Sequence, residues 1–314
     1  MTSRVRIVDC VAHVPAGRLD LLEMAERFDT DAKFLRQKTG YTAVARMDAS
    51  ETASGLAEAA VRRAFEAHPG LVGRVKLLVL ITQNPDGYGL PHASAILHGR
   101  LGLGDDVAAF DVSLGCSGWV YGLSIATSFM DANHIDSGLL ITADPYSPVL
   151  DPDDRNTQLL FGDAAAVTVL ERGAPGWSAG RFLFGTDGTA WRSLMVDEER
   201  RLRMNGHGIF VFSAKRVPAC IAETLSANGI AMVDVDRVLV HQGSRYIVET
   251  IGKRLGAPDK TPFVANDVGN TVSSSIPLIL SSGLCDGDGK IVVCGFGVGL
   301  SWAATVLTRI DDQQ

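Results

Sequence analysis

The segment DVSLGCSGWVYGLSIATSF, residues 111–129, places a lone thiol, Cys116, among small residues where a strand-like run turns into a helix-like one. A free cysteine has a pKa of about 8.5, so little of it is thiolate near neutrality. A helix N-terminus offers unpaired N–H groups and the positive end of the dipole, which stabilise the anion. Gly115, Ser117 and Gly118 let a substrate carbonyl approach the backbone. Nucleophilic chemistry is one reading of this pattern; an inert core cysteine is the other. His241 ends the run DRVLVH and precedes Gln242 and Gly243, and strand C-terminal ends are where α/β proteins place ligands. A structural histidine would look the same. Asn270, in DVGNTVSSSIPLIL, opens a helix whose early turns include Pro277, a place where capping alone accounts for an asparagine.

The elements that must hold these residues alternate along the chain. Apolar runs rich in Val, Leu and Ile (75–82, 108–114, 138–143, 165–170, 236–241 and 290–297) predict buried strands of a layered α/β protein. Helices are predicted over 51–68, 118–133, 208–229 (with Pro218 as a kink site) and 244–256, and loops over 83–91, 144–157 and 172–180. On the helix after the thiol, Trp119, Leu123, Ala126 and Met130 form one stripe that would fix it against a core. An internal echo relates KLLVLIT, ILHGRLG and FDVSLGCSG to DRVLVHQ, ETIGKRLG and VANDVGNTV. Gly102 to Cys116 and Gly256 to Asn270 are equally spaced, as in a duplicated strand-helix-strand-helix unit with Cys116 and Asn270 at matching joins.

Composition narrows the class. The chain has 314 residues, 46% hydrophobic and 21% charged, enough for one large core or two fused ones. Its N-terminus lacks the pattern of a signal peptide and no long uninterrupted apolar run appears, so a cytoplasmic, non-membrane protein is expected. Five cysteines, none in a CxxC pair, suggest neither a disulfide framework nor a zinc ribbon. A net charge of −7 argues against nucleic-acid binding. His13, His68, His92, His98, His134 and His207 show no metal-ligand spacing, so no metal is expected. GxSxG is absent, and Gly295, Gly297 and Gly299 do not make a GxGxxG fingerprint.

Taken together, Cys116, His241 and Asn270 resemble the Cys-His-Asn triad of the thiolase-fold condensing enzymes, in particular the β-ketoacyl-acyl-carrier-protein synthase III family. The resemblance spans nearly the whole chain in order: KTGYTAVARM, AFDVSLGCSGWVYGL, DPDDRNTQLLFGDAAAV, VLVHQGSRYI, VGNTVSSSIPLIL and GFGVGLSWAATVL are each similar to a family motif. It implies a five-layered α-β-α-β-α fold of two pseudo-symmetric halves, here 1–172 with the nucleophile and 173–314 with the histidine and asparagine, in a homodimer. It implies that Cys116 takes an acyl group from an acyl-CoA and that a malonyl thioester on CoA or acyl carrier protein then condenses with it, losing CO2. His241 and Asn270 would stabilise the enolate, and the backbone N–H groups of Cys116 and Gly299 would form the oxyanion site. Phe34, Lys38, Arg155, Gly206 and Ser244 match positions that contact CoA or its pantetheine arm; Leu90 matches a dimer-interface position that shapes the acyl pocket of the partner subunit, and Phe210 matches an aromatic beside the active-site tunnel. No cofactor beyond the CoA thioester substrates is implied.

The departures are specific. Ala164 and Val298 stand where the family has Gly, and Gly243-Ser244 stands for its Ala-Asn. The stretch between GTDGTAWRSLMV and RLRMNGHGIF is short, which implies an altered tunnel mouth. The carrier-facing patch keeps Lys215, Arg216, Arg245, Lys253 and Arg254, but has Val211 and Tyr246 where basic residues are common. The alternative to condensation is an acyltransferase that passes the Cys116-bound acyl group to an alcohol or amine.

Overall fold

The structure, a computed structural model, describes residues 3–311. Ten strands are joined in one hydrogen-bonded sheet: β1 (Val5–His13), β2 (Leu77–Ile81), β3 (Ala108–Val112), β4 (Ser137–Ala143), β5 (Ala165–Arg172), β6 (Gly176–Ala179), β7 (Leu183–Thr186), β8 (Arg237–Val240), β9 (Lys290–Gly297) and β10 (Ser301–Ile310). The order β3-β2-β4-β5-β1 makes one half, with parallel pairs at β3-β2-β4 and antiparallel pairs beyond. The order β8-β9-β10-β6 makes the other, with β7 also on β10. Among the described residues, the pair Ile7 and Trp177 alone joins the two halves across β1 and β6.

Six longer helices fill the layers: α1 (Ala53–Ala67), α2 (Ala93–Leu101), α3 (Gly118–Ala132), α4 (Gly206–Asn228), α5 (Arg245–Arg254) and α6 (Ser275–Leu280). The period of two along β2 decides the layering. Leu78 and Leu80 pack with Leu56 and Val61 of α1 and Leu97 of α2, while Leu77, Val79 and Ile81 pack with α3. In the second half Val292 and Cys294 face α4 and α5, while Ile291 and Val293 face the same central core as α3. Thus α1 and α2, a sheet, α3 and α6, a sheet, and α4 and α5 lie in turn, the five layers that the resemblance implies. All four stripe residues of α3 are buried, and the Trp119 indole N–H donates to Thr168 Oγ1 at 2.9 Å, so its one polar atom is satisfied in the core.

Several expectations need correction. Residues 172–180 read as a loop from Gly and Pro signals, yet β6 forms there because Trp177 buries against the shared core. The repeat is incomplete. Gly102 and Gly256 both close their helices at φ 66°, but no strand precedes Asn270, which makes only an isolated bridge with Phe161. Pro218 does not end α4. Its missing N–H frees the Ala214 carbonyl, which accepts instead from Arg254 Nη1 at 2.7 Å. β1 was hidden because Arg6 and Asp9 interrupt its apolar pattern. Among the described residues no helix is long and apolar enough to cross a membrane.

Since α3 both holds the thiol and separates the sheets, Leu123→Ala should lower stability by about 2–5 kcal/mol in denaturant titration. A loss under about 1 kcal/mol would show that this core collapses around the gap.

Candidate functional site

Cys116 sits one residue before the Ser117 cap of α3 and is 4% exposed. The β9–β10 hairpin closes over it. A Cβ on Gly295 would fall 2.7 Å from the Cys116 carbonyl oxygen, and one on Gly297 would fall 2.8 Å from Sγ, so only glycine lets the hairpin approach so closely. Ser117 and Ser301 lock the contact through their hydroxyls at 2.7 Å.

The hairpin brings backbone donors to the sulfur. The backbone N–H groups of Val298 and Cys116 both act on the thiol to favour its anion. Gly299, expected as the second donor, is not one of the backbone groups that act on the thiol; a Cβ there would lie 3.6 Å from the Ser301 side chain. A backbone donor needs no glycine, and the residue-type match hid Val298. The electrostatic expectation also fails. Burial pushes the Cys116 thiol up to about 12, and the amides oppose this only in part. Desolvation outweighs the helix terminus.

His241 leaves β8 with its N–H on the Cys294 carbonyl at 2.9 Å. Its Nδ1 lies 2.8 Å from Ser275 Oγ at the start of α6, and Phe296 meets the ring edge-on at 5.5 Å. Burial holds the imidazole down at about 3, against the opposing Val272 carbonyl beside the ring, so it is uncharged at neutral pH. Asn270 is pinned to the first half: its N–H donates to the Leu160 carbonyl at 2.8 Å and its carbonyl accepts from Gly162 N–H at 2.9 Å. Its Oδ1 accepts from Val272 N–H at 3.0 Å, which leaves the amide donors free. Val272, at φ 50°, thus holds a β-branched residue in the left-handed region between the two polar side chains.

Cys116, His241 and Asn270 all line one cavity of about 530 Å³. Phe34, Lys38, Arg155, Gly206, Ser244 and Phe210 line it too. Its mouth is built from stacked cations and rings: Arg155 over Phe34 at 5.6 Å, Lys38 over Tyr246 at 4.1 Å, and Phe210 stacked on Tyr246 at 5.0 Å. Tyr246, which replaces an expected basic residue, is the hub of that wall. Ser244 also caps α5, accepting from Ile247 N–H at 3.3 Å. Leu90 is not brought to the cavity of its own chain; it stands 88% exposed on the segment after β2. The sequence reading missed Ser275, Val272 and the apolar lining of Phe161, Ile209 and Leu194. Ser275 was visible in the SSS run after Asn270, but not its register against His241.

Among the described residues no cluster of His, Cys, Asp and Glu could hold a metal ion. The sequence model of 3-oxoacyl-[acyl-carrier-protein] synthase III matches residues 110–188, and that of its C-terminal region matches 225–309. The chain is 31% identical to a β-ketoacyl-[acyl-carrier-protein] synthase III of Alkalilimnicola ehrlichii, over 97% of this chain and 99% of that protein. It superposes on a crystal structure of a 3-oxoacyl-(acyl-carrier-protein) synthase III with a TM-score of 0.91 and 32% identity, covering 98% of this chain and 100% of that one. The priming β-ketosynthase of the R1128 polyketide pathway gives a TM-score of 0.88 at 26% identity, with 99% and 98% covered.

Two pH effects follow. Alkylation of Cys116 by iodoacetamide, resolved by peptide mass spectrometry, should rise about tenfold per pH unit from about 7 to 10; a plateau near pH 8.5 would contradict a buried thiol. His241 binds its proton less readily folded than unfolded. Its contribution to stability is therefore complete above pH ~7 and is lost as pH falls below about 6.5, by up to about 1.4 kcal/mol per unit toward the folded pKa. His241→Gln should make acid destabilisation between pH ~6.5 and ~4 shallower than in the wild type. Equal slopes would show a ring that is not held neutral.

Proposed function

The chain belongs to the 3-oxoacyl-[acyl-carrier-protein] synthase III family, and from that premise we propose that it loads an acyl group from acyl-CoA onto Cys116 and condenses it with a malonyl thioester. In the first stage Sγ attacks the acyl carbonyl, the tetrahedral oxyanion forms beside the N–H groups of Cys116 and Val298, and the C–S bond to CoA breaks. The leaving thiolate takes up the proton that Cys116 gave up, so CoA departs as the thiol. Since burial keeps the thiol protonated, loading depends on these donors meeting the anion as it forms rather than on a standing thiolate.

In the second stage the malonyl thioester loses CO2, and the electron pair left behind becomes an enolate. Its carbon attacks the Cys116 thioester, a new C–C bond forms, and the C–S bond breaks to return the thiol with a proton from solvent. The observation that carries this reading is the locked Asn270 amide: with Oδ1 held by Val272 N–H, Nδ2 is left to donate into the cavity that holds the thiol. In the tautomer in which the Ser275 hydroxyl, with no other partner among the described residues, donates to His241 Nδ1, the ring's one proton sits on Nε2 and gives the enolate its second donor. An uncharged imidazole suits this role, because a donor that does not ionise keeps its proton when the negative charge appears.

The mouth supports a CoA thioester. Phe34 and Arg155 offer a ring and a guanidinium to the nucleotide end, Lys38 a charge for phosphate, and Gly206 and Ser244 line the path of the pantetheine arm. For a carrier protein, Lys215 and Lys253 are exposed and carry no ion pair among the described residues. Arg254, Arg216 and Arg245 are already engaged by Ala214, Trp302 and Phe263. Lys215 and Lys253 therefore carry most of any contact with an acidic carrier. A homodimer accounts for the segment that presents Tyr88 and Leu90 to solvent, 80% and 88% exposed, with Leu90 reaching the acyl site of the second copy.

Intact-protein mass spectrometry with acyl-CoA followed by malonyl thioester tests the division of labour. Cys116→Ala should abolish the adduct. Asn270→Ala should keep it but lose CO2 release by about 10²–10³-fold, the cost of one oxyanion-type donor. Condensation by Asn270→Ala at the wild-type rate would sink the enolate assignment, and discharge of the adduct by alcohols or amines alone would make the protein an acyltransferase.

A further inference from the structure

A second cavity, of about 450 Å³, is bordered by Gln83, Val149 and Ser113. Between it and the Cys116 cavity stands a hydrogen-bonded pair. Tyr146, 3% exposed, donates its hydroxyl to Gln83 Oε1 at 3.0 Å. The Tyr146 ring packs 5.0 Å from Phe161, which lines the Cys116 cavity, and Tyr146 shares one apolar cluster with Cys116, Phe161 and Val149. Both polar atoms press on the residue before the nucleophile: a Cβ on Gly115 would lie 2.5 Å from Gln83 Oε1 and 3.3 Å from Tyr146 Oη. The pair is braced from behind, since Gln83 N–H donates to Asp144 Oδ1 at 2.9 Å and Asp144 is 1% exposed. Gln83 Nε2 has no protein partner among the described residues and is left to the second cavity, whose rim also carries Glu51, Asp86 and Arg200.

We propose that the Gln83–Tyr146 pair is the chain-length filter of the acyl site, admitting an acetyl- or propionyl-sized group on Cys116 and stopping longer straight alkyl chains. This rests on the proposed function, in which Cys116 carries an acyl thioester. A short acyl group leaves the hydrogen bond intact. A longer chain has to part Tyr146 from Gln83, leave both polar ends against hydrocarbon, and then emerge into a cavity rimmed by charge. One lost hydrogen bond in an apolar setting corresponds to a selectivity of about tenfold to a hundredfold.

The test measures rates of adduct formation at Cys116 by intact-protein mass spectrometry with acetyl-, propionyl-, hexanoyl- and octanoyl-CoA. It compares the wild type with Gln83→Ala, which keeps the backbone bond to Asp144, and with Tyr146→Phe, which keeps the ring on Phe161. The wild type should load hexanoyl at least about tenfold more slowly than acetyl, and each variant should narrow that ratio by about tenfold. The ratio is taken within one protein, so a general loss of folded material cancels. Equal rates for short and long chains in the wild type, or a ratio unchanged in both variants, would overturn the filter while leaving acyl loading in place. No adduct from any thioester on folded wild-type protein would overturn the proposed function, and the filter with it.

Discussion

The site depends on one close approach, that of the β9–β10 hairpin to the start of α3. Gly295 and Gly297 touch the Cys116 carbonyl and sulfur where any side chain would collide, and the Ser117–Ser301 hydroxyl contact holds the two together. Nucleophile and hairpin come from opposite halves of the molecule. Their contact delivers the Val298 amide to the thiol, buries the sulfur, and leaves Phe296 against His241. Withdrawing the hairpin would remove at once the Val298 amide, the desolvation of the thiol and the ring that packs on the histidine.

A second contact between halves supplies the other polar group. Asn270 is tied by both of its backbone groups to Leu160 and Gly162, so its position is set by the first half although it belongs to the second. Val272 then hydrogen-bonds its Oδ1 from a left-handed backbone that a valine rarely adopts. A residue held in such a conformation by its surroundings lies between the two side chains whose directions matter most. The strain is local, and the packing of Val272 in the cluster around Cys116 sustains it.

Burial governs the electrostatics. The expectation of a lowered thiol pKa considered only the helix terminus, yet the same packing that aims the amides at sulfur removes water from it, and the second effect is larger. The histidine shows the same balance with the opposite sign: a buried base is held neutral. Both groups are therefore uncharged at rest, which suits a site whose negative charge appears only during reaction and is met by donors already in place.

The sequence alone was enough to determine the layered α/β class, the buried face of α3, and the candidate residues Cys116, His241 and Asn270, because periodicity and residue type are local properties. Six motifs in order added the family resemblance, and with it the expected residues at the polar end of the cavity but not its apolar lining. What it left open were β6, hidden behind turn residues, the missing strand before Asn270, and the second backbone donor, since an amide N–H belongs to every residue but proline. The direction of the thiol's pKa shift and the Gln83–Tyr146 wall were also beyond it. Those features come from contacts between residues far apart in the chain, and only the tertiary structure sets which backbone meets which side chain and how much water remains between them.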